Sequence, residues 1–180
     1  MLKITIPGMD FYNEKTEEFV KTKARTIHLE HSLVSISKWE SKWNKPFLKK
    51  ELRTEEESLD YIKCMTVTPN IEDEIYLALT NDNVSDIERY ISADMTATTI
   101  AKQKENGHNK ETITSELIYY WMICHNIPFE CQKWHLNRLL TLISICNIKN
   151  APPKKRSKRD IMSRNKSLNE QRLKQLNHGG

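Results

Sequence analysis

Four residues in one stretch have side chains able to hold a metal: Cys124, His125, Cys131 and His135. Thiolate and imidazole are the usual zinc ligands, and Cys131 and His135 stand four apart, within reach of one helix face. The spacing fits no standard zinc pattern, which begins with a Cys pair two to four residues apart. Cys124, Cys131 and Cys146 read better as small core residues. No metal and no other cofactor is expected.

Trp39 and Trp43, with Lys38 and Lys42 beside them, could form a base-stacking platform flanked by phosphate contacts. Their spacing of four matches an amphipathic helix with Trp inward and Lys outward, and that reading carries more weight. Glu55, Glu56 and Glu57, and Glu72, Asp73 and Glu74, sit where two helices begin and complement the helix dipole there. Gly-x-Ser-x-Gly, a phosphate-cradling Gly-rich loop and His-Glu-x-x-His are all missing from a chain with four glycines. No nucleophile, base or metal constellation survives, so the chain is not expected to be an enzyme. Lys154, Lys155, Arg156, Lys158 and Arg159 make a basic run without interleaved aromatics. It suits phosphate contacts lacking sequence preference, or an acidic protein face, and both stay open.

These residues need elements to place them. At 180 residues, with 38% hydrophobic content, the chain is long enough for one core plus a tail. Mean hydropathy is −0.67. No apolar run is long enough to cross a bilayer, and the start lacks a signal-peptide pattern, so reduced thiols in a cytoplasm are expected. Of 28 Lys and Arg and 24 Asp and Glu, nine and two lie in residues 151–180. The overall +4 therefore joins a basic arm of +7 to a body of −3. Such asymmetry suggests a tail that meets a polyanion or an acidic protein face.

Residues 2–6 alternate apolar and polar and predict a strand; Pro7-Gly8 breaks it. Residues 11–20 predict a hairpin around 13–16, and 26–30 a further strand. Ser35 or Ser37 caps a helix through Trp43, stopped by Pro46. Thr54 and Glu57 form a capping box that opens a helix to about Met65, with Leu59, Tyr61 and Ile62 inward. Residues 71–79 predict a short helix, and Asn83 or Ser85 caps another through Ile91. Residues 94–110 read as a loop. Residues 111–150 look like the organising stretch. Ile113, Leu117, Trp121 and Cys124 mark one buried helix face. Pro128 forces a turn. Apolar positions from Leu136 to Cys146 wrap most of a central helix, so the two helices should pack as an antiparallel hairpin through a connection at 127–130. Pro152-Pro153 lies in a linker, and Ser157 caps a basic helix over 158–176.

The expectation is α+β, mostly α. A β unit over 1–32 and a helical part over 33–150 form one mixed domain, and 151–180 form a basic helical arm.

Residues 29–48 (LEHSLVSISKWESKWNKPFL), 116–155 (ELIYYWMICHNIPFECQKWHLNRLLTLISICNIKNAPPKK) and 157–177 (SKRDIMSRNKSLNEQRLKQLN) resemble the tail assembly chaperone family of long-tailed, siphovirus-type bacteriophages. The similarity covers most of the chain outside residues 94–110. It implies a non-enzymatic protein of the infected host's cytoplasm that binds the helical tape measure protein and keeps it soluble until tail tube subunits polymerise around it. The tail tube protein and a second copy are further partners under this reading; a membrane is not. Two alternatives stay open: a structural virion protein (minor tail or connector component), and a nucleic-acid-binding phage protein using the basic arm. The candidate partner-binding residues are Trp39, Trp43, Lys154, Lys155, Arg156, Lys158 and Arg159.

Overall fold

The computed structural model describes residues 1–13, 18–49, 52–99, 112–152 and 158–177. They form two compact units, Met1–Asn147 and Ile148–Gly180. The fold is α+β and mostly α.

The chain begins as a β ribbon. Strand β1 (Leu2–Ile6) pairs antiparallel with β4 (Arg25–Leu29), and β2 (Asp10–Asn13) with β3 (Glu18–Lys21). Ile6 lies opposite Arg25 and Asp10 opposite Lys21, so both pairs keep one register. Thr22 N–H donates to Met9 O at 2.9 Å between them. The expected separate strands are thus two halves of a single ribbon interrupted near Gly8. A Cβ on Gly8 would come within 2.8 Å of Thr22 O, which is why a residue without one stands there. Alternation then sorts the faces. Ile4, Ile6, Ile27 and Leu29 are buried, while Thr5 and Thr26 pair their hydroxyls at 3.1 Å on the other face. The free edge of β4 is covered: Val67 N–H donates to His28 O, and Glu30 N–H to Met65 O. The tip expected at 13–16 falls mostly on residues 14–17, outside the described residues.

Helix α1 (Leu33–Trp43) follows at once. Its cap is Ser32 rather than Ser35 or Ser37; Ser35 is the third residue of the capping box and bonds back to Ser32 N–H at 2.9 Å. The helix ends on Asn44 at φ 52, two residues before Pro46. Asn tolerates that left-handed conformation, which closes the last turn without help from proline. Helix α2 (Glu55–Met65) has the expected box: Thr54 N–H donates to Glu57 Oε2 at 2.9 Å, and Glu57 N–H to Thr54 Oγ1 at 3.1 Å. Tyr61 and Ile62 are buried and Leu59 half-buried. The short helix expected at 71–79 is a 3₁₀ turn over Asp73–Ala78. Helix α3 (Asn81–Ser92) is capped by Thr80, with Asn83 as third residue of the box rather than as the cap. Residues 94–99 are irregular; the rest of the expected loop lies outside the described residues.

The stretch 111–150 differs most from expectation. Helix α4 (Ser115–Cys124) is capped by Thr114. It buries Ser115, Ile118 and Met122, not Ile113, Leu117, Trp121 and Cys124. Ile113 and Cys124 are exposed, and Leu117 and Trp121 half-buried. Helix α5 (Leu136–Asn150) buries only Leu136, Leu139 and Ile143, one face rather than most of a circumference. The chain between the two helices runs from His125 to His135 through a 3₁₀ turn at Phe129–Lys133, longer than a hairpin turn. His125 Nε2 meets Asn147 Oδ1 at 2.8 Å, which brings the C-terminal ends of α4 and α5 together. Helix α1 is the hub instead: α2, α4 and the second 3₁₀ turn all pack on it.

The second unit holds α6 (Lys158–Asn177), twenty residues long. All its described side chains are exposed, including Met162, Leu168 and Leu173. No helix of the described residues is long and apolar enough to cross a membrane.

Candidate binding surfaces

Trp39 is 2% exposed and its Nε1–H donates to Glu57 O at 2.9 Å. It belongs to the core. Trp43, half-buried, stacks on Trp39 with ring centroids 6.2 Å apart, and its Nε1–H donates to Asp60 Oδ2 at 2.9 Å. Asp60 also pairs with Lys42. Burial pushes the Asp60 carboxyl up, but the hydrogen bonds from Lys42 and Trp43 outweigh it and hold its pKa below the usual range. Both indole N–H groups are therefore taken up by internal bonds. Lys154, Lys155 and Arg156 lie outside the described residues; Lys158 opens α6, and Arg159 is exposed on it.

The four side chains weighed as metal ligands take separate places. Cys124 is exposed at the end of α4, and His125 is tied to Asn147. Cys131 is buried in the second 3₁₀ turn. His135 is buried and bonds the Tyr90 carbonyl at 3.0 Å. Among the described residues no three His, Cys, Asp or Glu gather in a way that could hold a metal ion.

Two polar centres in the core escaped the sequence reading. Glu40 is 7% exposed, and its carboxylate accepts the Phe47 N–H and the Ser115 N–H, both at 2.7 Å. It fastens the start of α4 to the end of α1. The second centre joins His31 to His135, with rings edge-to-face at 5.0 Å. His31 Nδ1 lies 2.5 Å from the Tyr61 hydroxyl, and the His31 carbonyl accepts Leu136 N–H at 2.8 Å. Because a carbonyl only accepts, neutral His135 carries its proton on Nε2. That leaves Nδ1 buried with no hydrogen-bond partner. Burial, then repulsion from His135 whenever that ring is protonated and from the Arg53 charge, lower the His31 pKa to about 3. Burial lowers that of His135 too. The pair holds the β4–α1 junction to the start of α5 with no charge of its own. Neither centre has a local signature, because each rests on a contact between residues thirty or more positions apart.

The surface itself shows one departure from ordinary packing. Eight of the ten residues of α4 are apolar, SELIYYWMIC, and they encircle it. A helix apolar on every side is normally buried on every side. Here the outer side carries Tyr120 and Ile123, each 59% exposed, with Cys124 beside them. These positions recur at helical spacing and form one stripe. Leu117 and Trp121, half-buried, border it, and Phe129 is 53% exposed near Tyr119. Glu116 is the only charge on the helix.

No protein-family model, curated protein or solved structure matches this chain.

Proposed function

We propose that this protein is a non-enzymatic binding protein whose partner is a helical segment of another chain, and that the partner is a phage tape measure protein held soluble during tail assembly. The uncovered apolar stripe of α4 is the observation that carries the binding part of this reading. An apolar stripe at helical spacing suits a helix laid along it, with apolar side chains every three and four residues. The resemblance of residues 29–48, 116–155 and 157–177 to tail assembly chaperones supplies the identity of the partner. The test is co-expression with the tape measure protein, comparing the full chain, a version ending at Asn150, and the double variant Tyr120→Ser/Ile123→Ser. Capture and solubilisation by the first two, lost in the double variant, is the expected result. No capture by any of them sinks the tape measure reading.

A second reading draws on α6. Arg159, Arg164, Lys166, Arg172 and Lys174 are all exposed on one helix. Cations so arranged favour a polyanion, and binding of DNA or RNA through them falls steeply with salt. Salt-sensitive retention of nucleic acid by the full chain, lost on ending it at Asn150, would favour this reading over the first.

A further inference from the structure

Helix α2 and the first 3₁₀ turn enclose a hollow of about 580 Å³. Leu59 and Leu77 supply its apolar lining, and Glu55, Glu56 and Glu74 its acids. A smaller hollow of about 170 Å³ shares Glu56, Leu59 and Lys63 and reaches Trp43. The two make one trough along the outer face of α2. Leu77 is 54% exposed, a large apolar side chain standing in the wall of a concavity.

The charges around it do not balance. Asp73 pairs with Lys63 at 3.0 Å, Asp60 with Lys42 and Glu57 with Lys45. Among the described residues Glu55, Glu56 and Glu74 stand in no close ion pair, Glu56 only adding to the field on Lys42, so the trough carries an excess of negative charge. The dipole of α2 accounts for acids in its own first turn. Glu74 stands in the first turn of the 3₁₀ element and faces the same hollow, but no dipole accounts for the exposed Leu77.

An occupant must therefore bring apolar side chains for Leu59 and Leu77 and cations for the three glutamates. It must also satisfy its own backbone. The lining is made of side chains from helical elements and offers no free strand edge, so an extended segment would leave N–H and C=O groups unpaired. A helix satisfies them internally. We propose that the α2 trough is a docking site for a basic amphipathic helix of a partner protein, distinct from the uncharged stripe on α4. The site does not depend on the partner assigned to α4.

The test uses the full chain and a fluorescein-labelled helical peptide of Leu and Lys, with Leu recurring every three and four residues. Affinity is measured by anisotropy at low and high salt. The variants are Leu77→Ser, Glu74→Gln and Tyr120→Ser/Ile123→Ser, each checked for an unchanged thermal transition. The trough predicts binding weakened about tenfold by Leu77→Ser, the loss of one partly buried leucine contact. It also predicts a smaller loss in Glu74→Gln, weakening with salt, and no change in the α4 variant. Equal affinity in wild type, Leu77→Ser and Glu74→Gln overturns the proposal, as does loss of binding in the α4 variant alone. Self-association of the full chain that Leu77→Ser abolishes would make the occupant a second copy, and overturns the partner assigned here.

Discussion

Helix α1 has eleven residues and α4 has ten, and each brings tryptophan to the fold. In α1 the buried polar groups all find partners within the chain. Trp39 N–H reaches Glu57 O, Trp43 N–H reaches Asp60, and the Glu40 carboxylate takes two backbone N–H groups. In α4 the inner side is closed by Ile118 and Met122, while Tyr120 and Ile123 on the outer side are each 59% exposed. Two aromatic-rich helices of similar length thus serve different ends: α1 holds the fold together, and α4 also presents a surface. Tryptophan at helical spacing marks apolarity, and only the partners of its N–H tell core from interface.

The strongest way to break the comparison is Trp39→Ala. If α1 is the hub, the loss is about 3–5 kcal/mol in urea unfolding. A loss below about 1 kcal/mol would put Trp39 at the surface with Tyr120. Glu40→Gln comes next. The amide can accept only one of the two N–H groups, so a cost of about 2–3 kcal/mol is expected. Hydrogen exchange at Ser115 should rise with it if the contact fastens α4.

Acid sharpens the same contrast, since the His31–His135 pair closes the N-terminal end of α1. The folded pKa of His31, about 3, lies below its ordinary 6.5. Its contribution to stability is complete above pH 6.5 and is lost as pH falls from there toward 3. Between pH 6.5 and 5 the loss from His31 alone is about 2 kcal/mol, read as a falling urea midpoint. His31→Gln should flatten that slope; an unchanged slope would remove His31 from the account. The smallest effect belongs to α4. Tyr120→Ser/Ile123→Ser should change stability by no more than about 0.5 kcal/mol per site. Clear destabilisation would show that the outer stripe is covered within this chain.

How much of this was legible depends on where each signal is stored. The α2 cap was readable because Thr54 and Glu57 are the usual residues of a capping box. The caps at Ser32 and Thr80 were not, because Ser35 and Asn83 fill the third position where Glu or Gln is usual. The alternation of β1 and β4 gave their inward faces at once. Helix α4 defeats periodicity for the opposite reason: apolar residues on every side leave no phase, so spacing alone cannot tell the side of Leu117 and Trp121 from the side that Ile118 and Met122 fill. Glu40 could not be recognised as a core residue, since its partners lie seven and seventy-five positions away. Of the basic run, Lys154, Lys155 and Arg156 lie outside the described residues, and Arg159 is exposed on α6.

The bond from Ser115 to Glu40 also bears on the order in which the chain folds. The β ribbon and the α1–α2 pair close short loops, whereas this contact joins residues 75 apart, and loop closure slows as separation grows. Until Ser115 arrives, the Glu40 carboxylate must keep its water, so the end of α1 cannot dehydrate. We therefore expect α4 to dock after the β ribbon and the α1–α2 pair. In pulse-labelled refolding, amides of β1, β4 and α2 should become protected before those of α4. Glu40→Gln should then quicken unfolding more than it slows folding.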